Sequence, residues 1–249
     1  VLSLDACVAV PATYRPDAFH GAEIAYCTRD DWPNQIAGTQ IQLSSLPEGL
    51  DLTAHTLFAM SCPEHSCEPE LAHKVALYVD GSVCAGHAAW SVVAVRYDAV
   101  GAPALQGCLS GTVPTSTECP QWIGAQSEDN ISAELTAVVA AMVAAFCMDS
   151  GESIVVRPDL KLSVKLATLE WQCSAHPELG RLCQVLGAWF YKIHGSFCEV
   201  RGHTKHPWND LADSLARWSA MSQLQCGDID WLPFHELICS HDVNWAWLL

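Results

Sequence analysis

Basic residues are scarce in this sequence of 249 residues, which has 12 Lys and Arg against 28 Asp and Glu and a formal net charge of −16. Such an acidic balance favours weak non-specific binding to polyanions. It argues against a protein whose whole surface binds nucleic acid. The few basic residues are unevenly placed, because all but two of them lie between Lys74 and Arg217. The middle of the chain is therefore where an anionic partner would bind.

Long apolar runs are also absent. The longest, residues 135–148, is bounded by Glu134 and Asp149 and is shorter than the roughly 18–20 residues that a membrane-spanning helix needs. Residues 1–17 contain an apolar patch without a preceding basic stretch, which argues against a signal peptide. We therefore expect no membrane partner. Because the sequence begins at Val1 without an initiator Met, we expect a piece of a longer protein.

The cysteines do not form the pattern of a disulfide framework. There are 13, an odd number, spread along a chain without a signal peptide. This favours reduced thiols in an intracellular protein of the cytoplasm or nucleus. Cys62, His65 and Cys67, with His73 further on, form one cluster of metal-binding residue types. Their spacing is not a standard zinc pattern and no matching second pair follows, so we favour a Cys-rich loop over a zinc site.

The sequence has no internal repeat, but its composition divides it into three parts. Residues 1–73 are punctuated by prolines and are predicted to be an N-terminal extension or linker. Residues 74–219 contain regular apolar patterns and are predicted to be the folded domain. Residues 220–249 form an acidic, Trp-rich C-terminal tail, which we expect to pack on a surface.

The folded part is predicted to be an α/β domain. Short β-branched runs predict strands at residues 74–80, 88–95, 105–113, 153–156 and 197–201. Apolar residues at helical spacing predict a helix that begins with Asn130 or Ser132 as its cap, a second over 179–191, and a last one that opens at Pro207 with Asn209 as its cap. Residues 160–169 alternate with period two, which taken alone predicts a strand. This order of elements predicts an α/β sandwich over a mixed sheet.

Four acidic residues fall at the ends of predicted elements: Asp80, Glu134, Asp159 and Asp213. Ligand sites of α/β proteins gather at such ends. Carboxylates brought together without basic partners repel one another unless cations are bound, and their hard oxygens suit Mg²⁺ or Mn²⁺. Two such ions about 4 Å apart stabilise phosphoryl transfer. Each acid alone is more simply a cap or turn residue, but four together favour a metal site.

A histidine-rich segment lies just before the last helix. Residues 202–213 read GHTKHPWNDLAD, which resembles the G-H-x-x-H-x-x-N-x-x-A-D signature of type 1 ribonuclease H. Three further segments match the same family in the same order: YVDGS at 78–82, SAEL at 132–135 and VVRPD at 155–159. The resemblance covers residues 74–219, and its specificity comes from four motifs in register.

The resemblance implies a ribonuclease-H-like fold, a five-stranded mixed sheet with helices on both faces, in which residues 160–168 are helical. It implies hydrolysis of the RNA strand of RNA–DNA hybrids with two Mg²⁺, or Mn²⁺ in their place. By match, Asp80 would bridge both metals, Glu134 and Asp213 would each hold one, and Asp159 would complete the set. His203 would assist product departure or protonate the leaving oxygen. Polar positions facing the hybrid, whose 2′-hydroxyl marks the RNA strand, would be Ser82, Asn130 and Asn209.

The predicted domain offers few basic residues for phosphate contacts, which dominate affinity for nucleic acids. We therefore expect weak hybrid binding by this chain alone. The SAEL and GHTKHPWNDLAD segments resemble those of ribonuclease H domains attached to retrotransposon reverse transcriptases, so an adjoining reverse transcriptase domain of the same polyprotein is the expected partner. Two alternatives stay open: a catalytically silent scaffold of the same fold, and a nuclease of the same fold that cuts DNA.

Overall fold

The computed structural model describes residues 7–9, 39–148, 152–159, 161–168, 170–193, 195–200 and 206–239. Two short 3₁₀ helices, Pro63–Ser66 and Pro69–Leu71, precede the main sheet. The strands are β1 Cys7–Ala9, β2 Ile41–Gln42, β3 Lys74–Cys84, β4 His87–Tyr97, β5 Pro103–Thr112, β6 Ser153–Pro158, β7 Trp171–Cys173, β8 Ser196–Phe197 and β9 Asp228–Ile229. The helices are α1 Ala54–Ser61, α2 Asn130–Cys147, α3 Lys161–Ala167, α4 Pro177–Lys192, α5 Pro207–Ser222 and α6 Leu232–Cys239.

The main sheet has five strands in the order β5-β4-β3-β6-β8. β3, β4 and β5 pair in antiparallel fashion, while β6 and β8 run parallel to β3. The first three strands follow one another along the chain, and the parallel strands are reached through helices, as parallel pairing requires. This mixed sheet with helices on both faces confirms the predicted ribonuclease-H-like α/β fold.

The two faces of the sheet are covered by different helices because the side chains of β3 alternate. Val75, Leu77 and Val79 join the apolar cluster formed with α2 and α4. Ala76 and Tyr78 join the cluster on the opposite face, which contains the buried side of α5. A strand buried on both faces reads as a continuous apolar run, which is how the sequence around residue 75 reads.

Helix α2 is the central helix of the domain. It is long and apolar enough to cross a membrane by composition alone, with a mean hydropathy of 1.7, but 89% of its residues are buried inside the protein. It is therefore a core helix. Its cap is Asp129, which accepts a hydrogen bond from the Ser132 N–H while Ser132 bonds back to the Asp129 N–H. The N-cap is therefore neither Asn130 nor Ser132, and the prediction of one of these two residues as the cap was wrong.

Three other local predictions differ from the structure. Residues 161–167 form helix α3, as the family resemblance implied, so the period-two prediction of a strand was wrong; Ser163, Leu166 and Ala167 are buried together on one helical face. Strand β8 has only two residues. His206 occupies the N-cap position of helix α5 without a side-chain cap hydrogen bond, and Asn209 lies inside the first turn, because Pro207 already occupies the first helical position.

Parts of both flanking segments pack on this domain. In the N-terminal part, the Thr56 hydroxyl on α1 donates to the Pro207 carbonyl at the start of α5. In the C-terminal part, Trp231 makes an edge contact with Trp90, and Phe234 is fully buried. Strands β2 and β9, one from each flank, pair with each other. The three-part division at residues 73 and 219 stays a prediction.

Candidate metal centre

Three of the four predicted acids meet beside the end of β6. Asp80 does not end its strand, as the sequence predicted, because β3 continues to Cys84. Asp80 lies on β3, Asp159 directly follows β6, and Glu134 lies near the start of α2. One carboxylate oxygen from each lies within 4.8 Å of the others. Because β3 and β6 are adjacent and parallel, with Val79 paired to Pro158, the residues that follow this pair, Asp80 and Asp159, are brought next to each other. Within the described ranges, no other group of three or more His, Cys, Asp or Glu side chains comes this close, so the Cys62–His65–Cys67 cluster is not assembled as a site.

Close approach of α2 to β3 depends on Gly81. A Cβ atom at this position would lie 2.3 Å from the Glu134 backbone nitrogen and 2.5 Å from the Ala133 carbonyl carbon, which are distances that no side chain tolerates. A backbone hydrogen bond from Gly81 lowers the pKa of the Glu134 carboxyl, against the larger opposing effect of burial. The sequence motif contains this glycine, but sequence reasoning did not assign it a function.

The electrostatics of the three acids fit a bound cation. Burial raises the pKa of Asp80 well above its usual range, and the charges of Asp159 and Asp213 raise it further. Burial likewise raises the pKa of Glu134, with contributions from Asp80 and Asp159. Among the described residues no hydrogen-bond partner reaches Glu134 Oε2, although that atom is buried. Crowded, desolvated carboxylates with an unpaired oxygen are the donor set that hard divalent cations require.

The fourth predicted acid, Asp213, lies beside this group rather than within it. It is on α5, where Arg217, one helical turn later, donates to both of its carboxylate oxygens at 2.7 and 3.0 Å. The Asp213 charge still acts on Asp80 and Glu134, whereas the Arg217 charge lowers the pKa of Asp80. Asp213 is therefore close enough to contribute to the site, but it is engaged in an ion pair.

The remaining predicted site residues lie in different surroundings. Ser82 is half-buried on β3, two residues beyond Asp80, and Asn130 is exposed at the first position of α2. Asn209 is only 6% exposed in the first turn of α5, and within the described part of the chain its side-chain oxygen has no hydrogen-bond partner. His203 lies outside the described residues. The roles assigned to all four by resemblance stay predictions.

A buried histidine outside the acid group, His176, supports the N-terminus of α2. His176, which is fully buried before α4, places Nε2 3.1 Å from both carboxylate oxygens of the cap Asp129. Its Nδ1 accepts from the Gln126 N–H, so the ring proton resides on Nε2 and is donated to Asp129. This contact ties α4 to the turn that carries Glu134. It joins residues 47 positions apart, and no local sequence pattern indicates it.

No family model matches the chain, and no curated protein matches it. Among solved structures, it is similar to ribonuclease H1 of Halobacterium salinarum NRC-1, with 24% identity, 61% of this chain and 99% of that chain covered, and a TM-score of 0.43. It is similar to the N-terminal RNase H domain of a Mycobacterium tuberculosis protein, with 20% identity, 61% and 96% covered, and a TM-score of 0.45. It is also similar to a foamy viral protease-reverse transcriptase in complex with RNA/DNA hybrid, with 11% identity, 62% and 21% covered, and a TM-score of 0.46.

Proposed function

We propose that this chain is an endoribonuclease that hydrolyses the RNA strand of RNA–DNA hybrids with two divalent metal ions. The observation that carries the proposal is the convergence of Asp80, Glu134 and Asp159, whose carboxylate oxygens lie within 4.8 Å of one another. These acids come from three of the four ribonuclease H sequence motifs. Carboxylates crowded together, with Asp80 and Glu134 buried, cost stability unless they bind cations, so the assembly of this group supports a function in metal binding.

The four acids are proposed to hold Mg²⁺, or Mn²⁺ in its place, and each residue has a distinct position from which to act. Asp80 faces both Asp159 and Glu134, while Asp213 approaches from α5. When bound, the ions would activate the attacking water and stabilise the charge on the leaving oxygen. Water would add to the phosphorus as the bond to the ribose 3′-oxygen breaks, leaving 3′-hydroxyl and 5′-phosphate ends. His203 is proposed to protonate the leaving oxygen or to assist product departure.

The surface charge indicates how the substrate would be held. With a net charge of −16, the chain has little attraction for a polyanion, since phosphate contacts supply most affinity for nucleic acids. We therefore propose that an adjoining reverse transcriptase domain of a retroelement polyprotein holds the hybrid. Ser82 and Asn130 would contact it near the metals. We also propose an intracellular location, because the 13 cysteines, an odd number, do not form the pattern of a disulfide framework.

The test is cleavage of an end-labelled RNA–DNA hybrid with Mg²⁺ at low salt, with duplex DNA and duplex RNA as control substrates. We expect cleavage of the RNA strand of the hybrid alone. Asp80→Asn should abolish it, whereas Asp51→Asn, an exposed Asp outside the site, should not change it. Cleavage of duplex DNA would instead indicate a DNA nuclease of the same fold.

A catalytically silent scaffold is the second candidate function, and the Asp213–Arg217 ion pair favours it. If that pair persists, the fourth acid is not available for a second metal ion. Absence of cleavage even at high protein concentration and low salt, where weak substrate binding no longer limits the reaction, would support the scaffold and overturn the enzyme.

A further inference from the structure

Two buried cysteines from distant parts of the chain meet beside the outer strand of the main sheet. Cys108 lies on β5, and Cys226 follows α5, 118 positions later; their sulfur atoms are hydrogen-bonded and 3.5 Å apart. Both side chains belong to the apolar cluster on the α5 side of the sheet. Neither residue is part of the candidate metal centre, so the proposed reaction leaves this pair of thiols without a function.

The backbone holds both cysteines at this place. β5 is an outer strand of the main sheet, and residues of both flanking segments pair with it. Ser44 and Cys108 exchange two backbone hydrogen bonds of 3.0 and 2.9 Å. Ser110 and Cys226 exchange two of 2.8 and 2.9 Å. Gly227 permits the close approach, because a Cβ atom there would lie 2.9 Å from the Cys108 carbonyl oxygen. The paired backbone therefore limits how far the two sulfurs can separate.

The two thiols differ in how readily they ionise. The hydrogen bond from Cys108 lowers the pKa of Cys226 to about 7, against the opposing effect of burial. The same hydrogen bond, together with burial, raises the pKa of Cys108. The thiolate is the form of cysteine that reacts with oxidants. Cys226 is therefore the reactive member of the pair, and Cys108 is the protonated neighbour that can react with it in a second step.

Access to the pair favours a small oxidant. Cys108 is fully buried and Cys226 is 5% exposed. All of residues 221–225, which directly precede Cys226, are exposed, so Cys226 lies just beneath the surface. A molecule of the size of hydrogen peroxide can reach a sulfur at this depth, whereas a bulky disulfide compound is hindered.

We propose that Cys108 and Cys226 are a redox-active pair, in which a peroxide oxidises the two thiols to a disulfide bond that locks the C-terminal segment onto β5. The Cys226 thiolate attacks one oxygen of the peroxide, the O–O bond breaks, and a sulfenic acid and hydroxide form. The Cys108 thiol then attacks the Cys226 sulfur, and the sulfenic hydroxyl leaves as water. In total, two thiols and one hydrogen peroxide give one disulfide and two waters, and the peroxide accepts both electrons.

The geometry is compatible with this bond, and the inference goes beyond the proposed function. A disulfide has an S–S distance of about 2.05 Å, so the two sulfurs must approach each other by about 1.5 Å, which changes of side-chain torsion angles can supply. The pair is independent of the metal centre, so neither metal binding nor hybrid cleavage enters the inference or its test.

The test treats the full chain with hydrogen peroxide, blocks the remaining thiols with iodoacetamide under denaturing conditions and maps disulfides by mass spectrometry without reduction. We expect a link between Cys108 and Cys226. We also expect a rise of about 4–16 °C in Tm, because the bond closes a long loop of the unfolded chain. Dithiothreitol should reverse both changes. Recovery of Cys108 and Cys226 as alkylated thiols after this treatment would overturn the inference, and a link that leaves Tm unchanged would refute the lock.

Matched variants separate this pair from the other cysteines. Cys108→Ala and Cys226→Ala should each lose both the link and the rise in Tm. Cys67→Ser, at an exposed cysteine elsewhere, should keep both. A Tm rise that persists in Cys226→Ala, or a wild-type Cys226 recovered as a sulfinic acid, would contradict the proposal. The mapping of the wild type needs no substitution, so it decides even if a variant unfolds. A negative result would leave the proposed function unaffected.

Discussion

Neutralising Asp80 should stabilise the metal-free protein while it removes activity. Burial and the neighbouring acids raise the pKa values of Asp80 and Glu134, which means that the folded chain resists ionising them. Asp80→Asn keeps the shape of the side chain and removes one of the crowded charges. We therefore expect a higher melting temperature in the absence of divalent ions, together with loss of hybrid cleavage.

The size of the effect follows from the geometry. Two unit charges 4.8 Å apart repel by about 3.5 kcal/mol at an effective dielectric constant of about 20, and Asp80 faces two such neighbours. The destabilisation has an upper limit, because Asp80 takes up a proton when the repulsion exceeds the cost of protonation. Keeping a carboxyl with an ordinary pKa of 3.8 neutral at about pH 7 costs about 4.4 kcal/mol. We expect a gain of about 1–4 kcal/mol in the free energy of unfolding. For a chain of this length, at about 2–4 °C per kcal/mol, that corresponds to about 2–16 °C in Tm.

The assay is thermal unfolding in EDTA, followed by circular dichroism, for the wild type, Asp80→Asn and the exposed control Asp51→Asn. A carboxyl group whose pKa is raised by folding stabilises the folded protein fully at pH values below its unfolded pKa. That unfolded pKa is about 3.8 for Asp80 and 4.5 for Glu134. The stabilisation is lost as the pH rises through the raised pKa of the folded protein. The difference between Asp80→Asn and the wild type should therefore widen from about pH 5 to about pH 8. A lower Tm for Asp80→Asn at every pH would refute the reasoning.

Three further predictions concern the same site. Mg²⁺ at about 100 times its dissociation constant should stabilise the chain by about 2.7 kcal/mol, measured as a Tm increase that EDTA reverses; no increase at any concentration would contradict metal binding. Gly81→Ala should lower the free energy of unfolding by about 1–3 kcal/mol and remove most of the activity, because its Cβ would lie 2.3 Å from the Glu134 nitrogen. Gly111→Ala is the mild control, because its Cβ would lie 3.4 Å from its nearest neighbour. Arg217→Ala should release Asp213 and lower the Mg²⁺ concentration for half-maximal cleavage about two- to threefold, as expected for an exposed ion pair; a higher requirement would show that the pair supports the site.

Local sequence patterns predicted the framework of the domain and three of the converging acids. Strand β3 is predicted from its β-branched residues and helix α2 from apolar residues at helical spacing. Both signals depend only on residues that are close in the sequence. The order of the four motifs then placed Asp80, Glu134 and Asp159 on the elements that meet. Residues 161–167 were ambiguous, because a run of seven residues offers too few turns to separate a helical period from an alternating one.

Contacts between distant residues could not be predicted in this way. Glu68 meets Arg157 across 89 positions, and His176 meets Asp129 across 47. Neither pair leaves a periodic trace in the sequence, since each contact exists only because the chain path brings two elements together. Asp213 is a different case, because its partner Arg217 lies one helical turn away on α5; this pair is local, and the motif indicated a metal ligand without indicating the pair.

The sequence by itself determined which strands and helices form the domain and which of them carry the converging acids, because binary patterning and motif spacing are local properties. Only the tertiary structure decided that part of the Pro-rich segment before residue 74 packs on the domain, where the Glu68 carboxylate accepts hydrogen bonds from Tyr78, Tyr97 and Arg157. The physical reason is that the charge balance of a buried site is summed over every element that surrounds it, and it is set when those elements pack.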